Sequence, residues 1–181
     1  MGESLTTIIA IFLAAILMFV FPLMSISERN DDIAQLGVQT ATVEFIDKIR
    51  TTGKITEDNY NAYIQTLAAT GNSYDVDMEV KVLDENPGKK TTWAVTDKIG
   101  ENIYYSVYNS QIEQALFGDD DNAKHQYILK EGDIVSISVK NTNKTISQML
   151  RNFFYTISGS DTYQVAAQHS GIVMCNGSNG N

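Results

Sequence analysis

Hydrophobic and polar positions divide the chain into regions of different period. From Leu5 to Ile26, a 22-residue run, no side chain is charged, and apolar residues would occupy every face of a helix built from it. At ~1.5 Å per residue such a helix is ~33 Å long, enough to cross a ~30 Å hydrocarbon core. Beyond Glu28 the pattern becomes one-sided. Ala34, Val38, Ala41, Phe45 and Ile49 recur at steps of four, three, four and four, the spacing of a single helix face. Asp31 and Asp32 suit the start of that helix and Gly53 its end. If run and stem are continuous, the helix covers ~48 residues and ~70 Å. Pro22, without a backbone donor, then predicts a kink or interruption.

A second helix is predicted after Thr56. Thr56 is a good N-cap, Glu57 and Asp58 suit the first turn, and Gly71 suits the end. Tyr60, Tyr63, Ile64, Leu67 and Ala68 form its expected buried face. The period then changes to two. Val76, Met78, Val80 and Val82 alternate with Asp75, Asp77, Glu79 and Lys81, which predicts a half-buried strand whose acidic face discourages edge pairing. Asn86-Pro-Gly88 reads as a turn, and 92–96 and 102–108 as further strands. A short helix is expected over 110–117 and a loop over 118–122. Asp133 to Val139 alternates as a strand. Ile146, Met149, Leu150, Phe153, Phe154 and Ile157 then mark a helix that would lie on a sheet. Tyr163, Val165 and Ala167 open a last strand reaching toward Met174, and the tail from Asn176 is expected to be loose.

The fold class these patterns define is α+β: a long N-terminal transmembrane and stem helix, then a small, mainly antiparallel sheet with packed helices. Residues 1–28 form the anchor, and residues 29–181 the stem and the α+β domain. An uncleaved anchor fits better than a signal peptide. Met1-Gly-Glu-Ser4 lacks a basic residue, the apolar run is long, and no Ala-x-Ala follows it. The formal net charge of −9 and pI of about 4.6 argue against nucleic acid as a partner and against a surface that hugs anionic lipid.

Candidate chemistry is sparse. A single cysteine, Cys175, excludes an internal disulfide and a multi-cysteine metal site. His125 and His169 have no neighbouring nucleophile motif, and no phosphate-binding glycine pattern occurs. Asp119-Asp120-Asp121-Asn122 could offer oxygen ligands to calcium, with Asp119 and Asp121 the weak candidates. The EF-hand spacing is absent, and a solvated acidic loop fits better. No cofactor and no catalytic residue is expected. Glu3 is the one ionisable side chain at the head of the apolar run; at an interface it costs little, the reading the residues alone slightly favour, whereas buried among apolar helices it would need a cationic partner.

Three stretches carry a family resemblance: Glu3 with the apolar run to Pro22; 51–57 through 69–75; and 129–135 through Phe153-Phe-Tyr155. Together they cover over half of the chain. The layout resembles type IV pilins and their minor relatives, nearest the tight-adherence (Tad) minor pilin-like proteins of Gram-positive envelope loci. The resemblance implies a structural subunit whose apolar helix sits in the membrane and then packs with the helices of other subunits. It also implies an extracytoplasmic domain, whereas charge counting with Arg29 alone slightly favours the opposite orientation. Glu3 would pair with a neighbour's amino terminus, and Ala10, Ala14 and Pro22 belong to the same packing helix, the alanines permitting close approach. In the family a glutamate stands five residues after the cleaved glycine. Here Glu3 follows Gly2 directly and Thr7 holds the fifth position, a pattern closer to a minor pilin or pseudopilin than to a processed major pilin. Expected partners are other pilin-like subunits, envelope assembly machinery and membrane lipid. The competing expectation is a monomeric, anchored extracytoplasmic binding, adhesion or conjugation-associated module, which would differ in whether the anchor packs with its own kind.

Overall fold

The computed structural model describes residues 2–84, 104–118, 125–143 and 165–178. Its dominant element is α1 (Gly2–Thr52), 51 residues in one unbroken helix. Anchor and stem are therefore joined, and the helix continues through Pro22. Asp31 and Asp32 lie inside it rather than at a start. The apolar run already supplies the preceding turns, so no N-terminus has to be capped there.

Gly53 ends α1 as expected. Its φ is 65, a left-handed conformation open to glycine, and its N–H returns to the Ile49 carbonyl at 2.8 Å. Then follow β1 (Lys54–Thr56), α2 (Glu57–Ala68), β2 (Tyr74–Leu83), β3 (Tyr104–Tyr108), α3 (Asn109–Phe117), β4 (Gln126–Ile128), β5 (Ile134–Asn141) and β6 (Val165–Ile172). The expected turn at 86–88, strand at 92–96 and helix at 146–157 lie outside the described residues, as do Asp119 and Asp121.

Four strands form one antiparallel sheet in the order β3-β2-β5-β6. Period-two alternation places Val76, Met78 and Val80 on the same face as Val135, Ile137 and Val139, paired across the strands as Val80–Val135, Met78–Ile137 and Val76–Val139. On the other face Asp77 meets Lys140 at 2.6 Å, and Ser106 donates to Glu79 at 2.6 Å. β2 is thus an interior strand. Its acidic face does not guard an edge; it is matched by cross-strand partners. β1 and β4 form a separate two-stranded ladder, too short to leave a period in the sequence.

The core lies between the sheet, α2 and the second half of α1. Ala34, Val38, Ala41, Thr42, Phe45, Ile46 and Ile49 are buried, so every member of the expected stem stripe is in place. Phe45 stacks on Tyr63 with ring centroids 4.4 Å apart and meets Tyr60 edge-on at 6.5 Å. Thr42 donates to the Val38 carbonyl at 2.7 Å, which leaves its oxygen to accept from the Tyr63 hydroxyl at 3.0 Å. The Thr56 side chain caps α2 by accepting from the Asn59 N–H. Tyr60, Tyr63 and Leu67 are buried, whereas Ala68 at the last turn of α2 is exposed.

The tail from Asn176 is not loose where it is described. Met174 N–H donates to the Arg50 carbonyl at 3.0 Å, and the Cys175 thiol to the Thr51 carbonyl at 2.9 Å. Gly177 N–H reaches Leu129 O at 2.9 Å, and the Glu131 N–H is accepted by Asn176 Oδ1 at 2.9 Å. Carbonyls at the end of a helix have no partner within it, and here the tail supplies donors for two of them.

Candidate functional site

The feature with functional potential is α1 itself. Among the described residues it is the one helix long and apolar enough to cross a membrane. None of its most apolar 18-residue window is buried against the rest of the chain. Phe12, Met18 and Phe19 are each at least 70 % exposed, far from the usual state of large apolar side chains in water. Charge begins abruptly at Glu28 and Arg29 and continues at Asp31 and Asp32. The helix thus passes from an uncharged to a charged surface within about two turns.

Glu3, Ala10 and Ala14 are all exposed. Steps of seven and four place them on one side of α1, while Pro22 lies ~100° further round. The helix therefore brings three of the four expected assembly residues together and leaves Pro22 apart. Thr6 and Thr7 donate their hydroxyls to the Glu3 carbonyl at 2.9 and 2.8 Å. Pro22 offers no N–H to the Met18 carbonyl, a break in the hydrogen-bond ladder within the apolar run.

Ile33, Leu36 and Val43 escaped the sequence reading. They lie on the stem but face away from the domain, at 62 %, 65 % and 37 % exposure. The signal was available as steps of three and seven, but the stronger stripe of Ala34 to Ile49 masked it.

Elsewhere among the described residues, titratable side chains make local contacts. His125 adopts φ 48, the one positive φ outside glycine among the described residues. Its Nδ1 lies 2.9 Å from the Leu116 carbonyl and 3.3 Å from a Glu57 carboxylate oxygen. His169 stands opposite Ile137 in the β5–β6 ladder. Asp133 is buried, and its carboxylate accepts from the N–H groups of Leu83 at 3.0 Å and Lys130 at 2.8 Å, joining the end of β2 to the turn before β5. Tyr60 and Tyr127 have hydroxyl pKa values pushed up to about 12, first by burial. For Tyr60 the neighbouring Glu113 carboxylate adds to the effect. Among the described residues no group of three or more His, Cys, Asp or Glu could hold a metal ion.

No family model, curated protein or solved structure matches this chain.

Proposed function

We propose that this chain is a structural, non-enzymatic subunit of pilin-like design, a minor pilin or pseudopilin of a surface pilus or secretion apparatus. Its apolar helix anchors it in the cell membrane before or instead of polymerisation, and the α+β domain stands on the extracytoplasmic side. The observation that carries this reading is the division of α1: one unbroken helix is bare and apolar over its first half and forms the core of a domain over its second. A tether alone does not require that arrangement, since a flexible linker would serve. A rigid joint between anchor and domain lets helix packing fix where each domain stands. Its partners are other subunits of the same design, envelope assembly machinery and membrane lipid.

The test is crosslinking of Ala10→Cys and Ala14→Cys in a Cys175→Ser background, in native membranes and in a sheared surface fraction. Ladders of multimers in the sheared fraction are expected, with Glu3→Ala reducing them while the domain stays folded. Monomers found in the membrane alone would instead identify an anchored binding or adhesion module.

A further inference from the structure

We infer that the outward face of the stem, Ile26 to Val43, is a seam that pairs with the same face of a second copy in a parallel two-helix arrangement. The inference rests on the anchoring part of the reading above, because it needs two copies held side by side in one membrane.

The spacing fits such a pairing. Ile26, Arg29, Ile33, Leu36, Thr40 and Val43 follow at alternating steps of three and four, the heptad rhythm that keeps one seam toward a partner helix. Within the apolar run this rhythm would mean nothing, since nearly every position there is apolar. The stem is different: Gln35, Gln39, Glu44 and Lys48 are polar, and its exposed apolar residues are confined to the seam.

Direction favours the same pairing. Val38 and Phe45, at 0 % and 5 % exposure, occupy the heptad position diametrically opposite the seam. Over Ile26 to Val43 the domain packs on their side of α1, and it reaches the line of the seam only beyond Val43, where Ile46 is buried and Arg50 donates to the Ile172 carbonyl at 3.0 Å, so the pairing is confined to the part of the stem above that contact.

Residue type agrees. Ile26, Ile33 and Thr40 fall on one seam position and are all β-branched; Arg29, Leu36 and Val43 fall on the other, with Leu36 at its centre. β-branched residues at the first position with leucine at the second favour two strands over three or four. Thr40 is the one neutral polar residue in the seam, and its hydroxyl donates to the Leu36 carbonyl within its own helix at 2.9 Å, so it enters the contact without a stranded donor. Arg29 is the one charge in the seam, with Glu28 next to it and Asp32 three residues on.

The seam spans 18 residues, ~27 Å of helix, which is short for a coiled coil in water. Membrane anchoring changes the balance. It holds copies parallel and at equal depth, and it raises their effective concentration. Pairing through this face leaves the side carrying Glu3, Ala10 and Ala14 open to other subunits.

The experiment uses the full chain with Cys175→Ser, reconstituted in phosphatidylcholine vesicles, and reads disulfide-linked dimer after mild oxidation. Ile33→Cys, Leu36→Cys and Val43→Cys are expected to give at least ~5-fold more dimer than Gln35→Cys and Lys48→Cys, because only seam positions bring the two chains into contact. Adding Leu36→Asp to Ile33→Cys should lower the yield to that of the flanks; Leu36 is exposed in the single chain, so folding is retained. Equal yields around the stem, or seam multimers larger than dimers, would overturn the inference. Carbonate extraction separates the two readings. A chain released from the vesicles removes the anchoring on which both depend. A chain that stays, without seam dimers, defeats the seam alone. Seam dimers in vesicles without any sheared filament fraction from cells support the seam and defeat the filament subunit.

Discussion

Residues 5–26 and residues 33–49 belong to the same helix, yet their apolar side chains have opposite fates. Phe12 and Phe19 lie at least 70 % exposed, whereas Phe45 is buried between α1 and α2, stacked on Tyr63. Backbone geometry is shared, so the difference lies in what surrounds each half. The first half has no protein partner among the described residues and is uniform enough to suit lipid. The second is polar on part of its surface and finds its partners in the sheet and α2. A helix need not be stabilised in the same way along its length: an uncharged apolar half suits a lipid surround, which would encourage internal hydrogen bonding, while tertiary packing holds the other.

The largest expected break in this comparison comes from truncating one aromatic in each half. Phe45→Ala should destabilise the domain by about 3–5 kcal/mol through lost burial and a cavity, and Phe19→Ala should leave it unchanged. Urea unfolding of the full chain in detergent micelles, followed by tyrosine fluorescence, reads both; equal effects would mean the halves are not independent. A charge inverts the pattern. Leu13→Arg should cost about 2.5–3.5 kcal/mol of membrane insertion and appear as carbonate-extractable protein with unchanged domain stability.

A smaller contrast separates the two glycines near the ends of α1 and α2. Gly53→Ala combines a φ of 65 with a new Cβ that would collide with the Gly177 backbone and lie 2.6 Å from the Cys175 carbonyl oxygen. Gly71→Ala has φ 82 but open space around it. The cost at Gly71 should be about 1 kcal/mol, and clearly more at Gly53, where the end of α1 is locked to the C-terminal tail. Comparable urea midpoints for the two variants would show that this lock does not hold α1.

The mildest perturbation is alkaline pH. Tyr60 and Tyr63 pack on Phe45, and burial raises both hydroxyl pKa values, that of Tyr60 to about 12. A raised pKa means the folded state holds the proton more tightly than the unfolded chain. The associated stability is therefore complete below pH 10 and is lost as pH climbs from 10 through 12. The domain should loosen in that window while carbonate-resistant anchoring persists. Tyr60→Phe should make the loss of stability with pH less steep, as read by urea midpoints at pH 9, 10 and 11.

Much of this was legible in the residues alone. A 22-residue uncharged run marks a helix long and apolar enough to cross a membrane. A stripe such as Ala34 to Ile49 is readable because a helix face repeats at a period no strand shares, and Val76 to Val80 because alternation has only two phases. Gly53 and the Thr56 cap are local signals with local causes. What stayed hidden depended on distant segments. β1 and β4 are three residues each, and only their mutual pairing makes them strands. The acids of β2 read as a guard against edge pairing because no sequence period says that β3 and β5 flank that strand on both sides. The tail was expected to be loose because its anchors, the end of α1 and Leu129, lie far away in sequence.

By itself, then, the sequence determined the longer described helices and strands and which face of each is apolar, since periodicity and capping act over a few residues. The tertiary structure alone decided which of the two apolar faces of the stem is used. Ala34, Val38 and Phe45 are covered and Ile33, Leu36 and Val43 are left bare. Both faces are hydrophobic, and only the position of the sheet and α2, set by contacts across the whole chain, determines which one is removed from water.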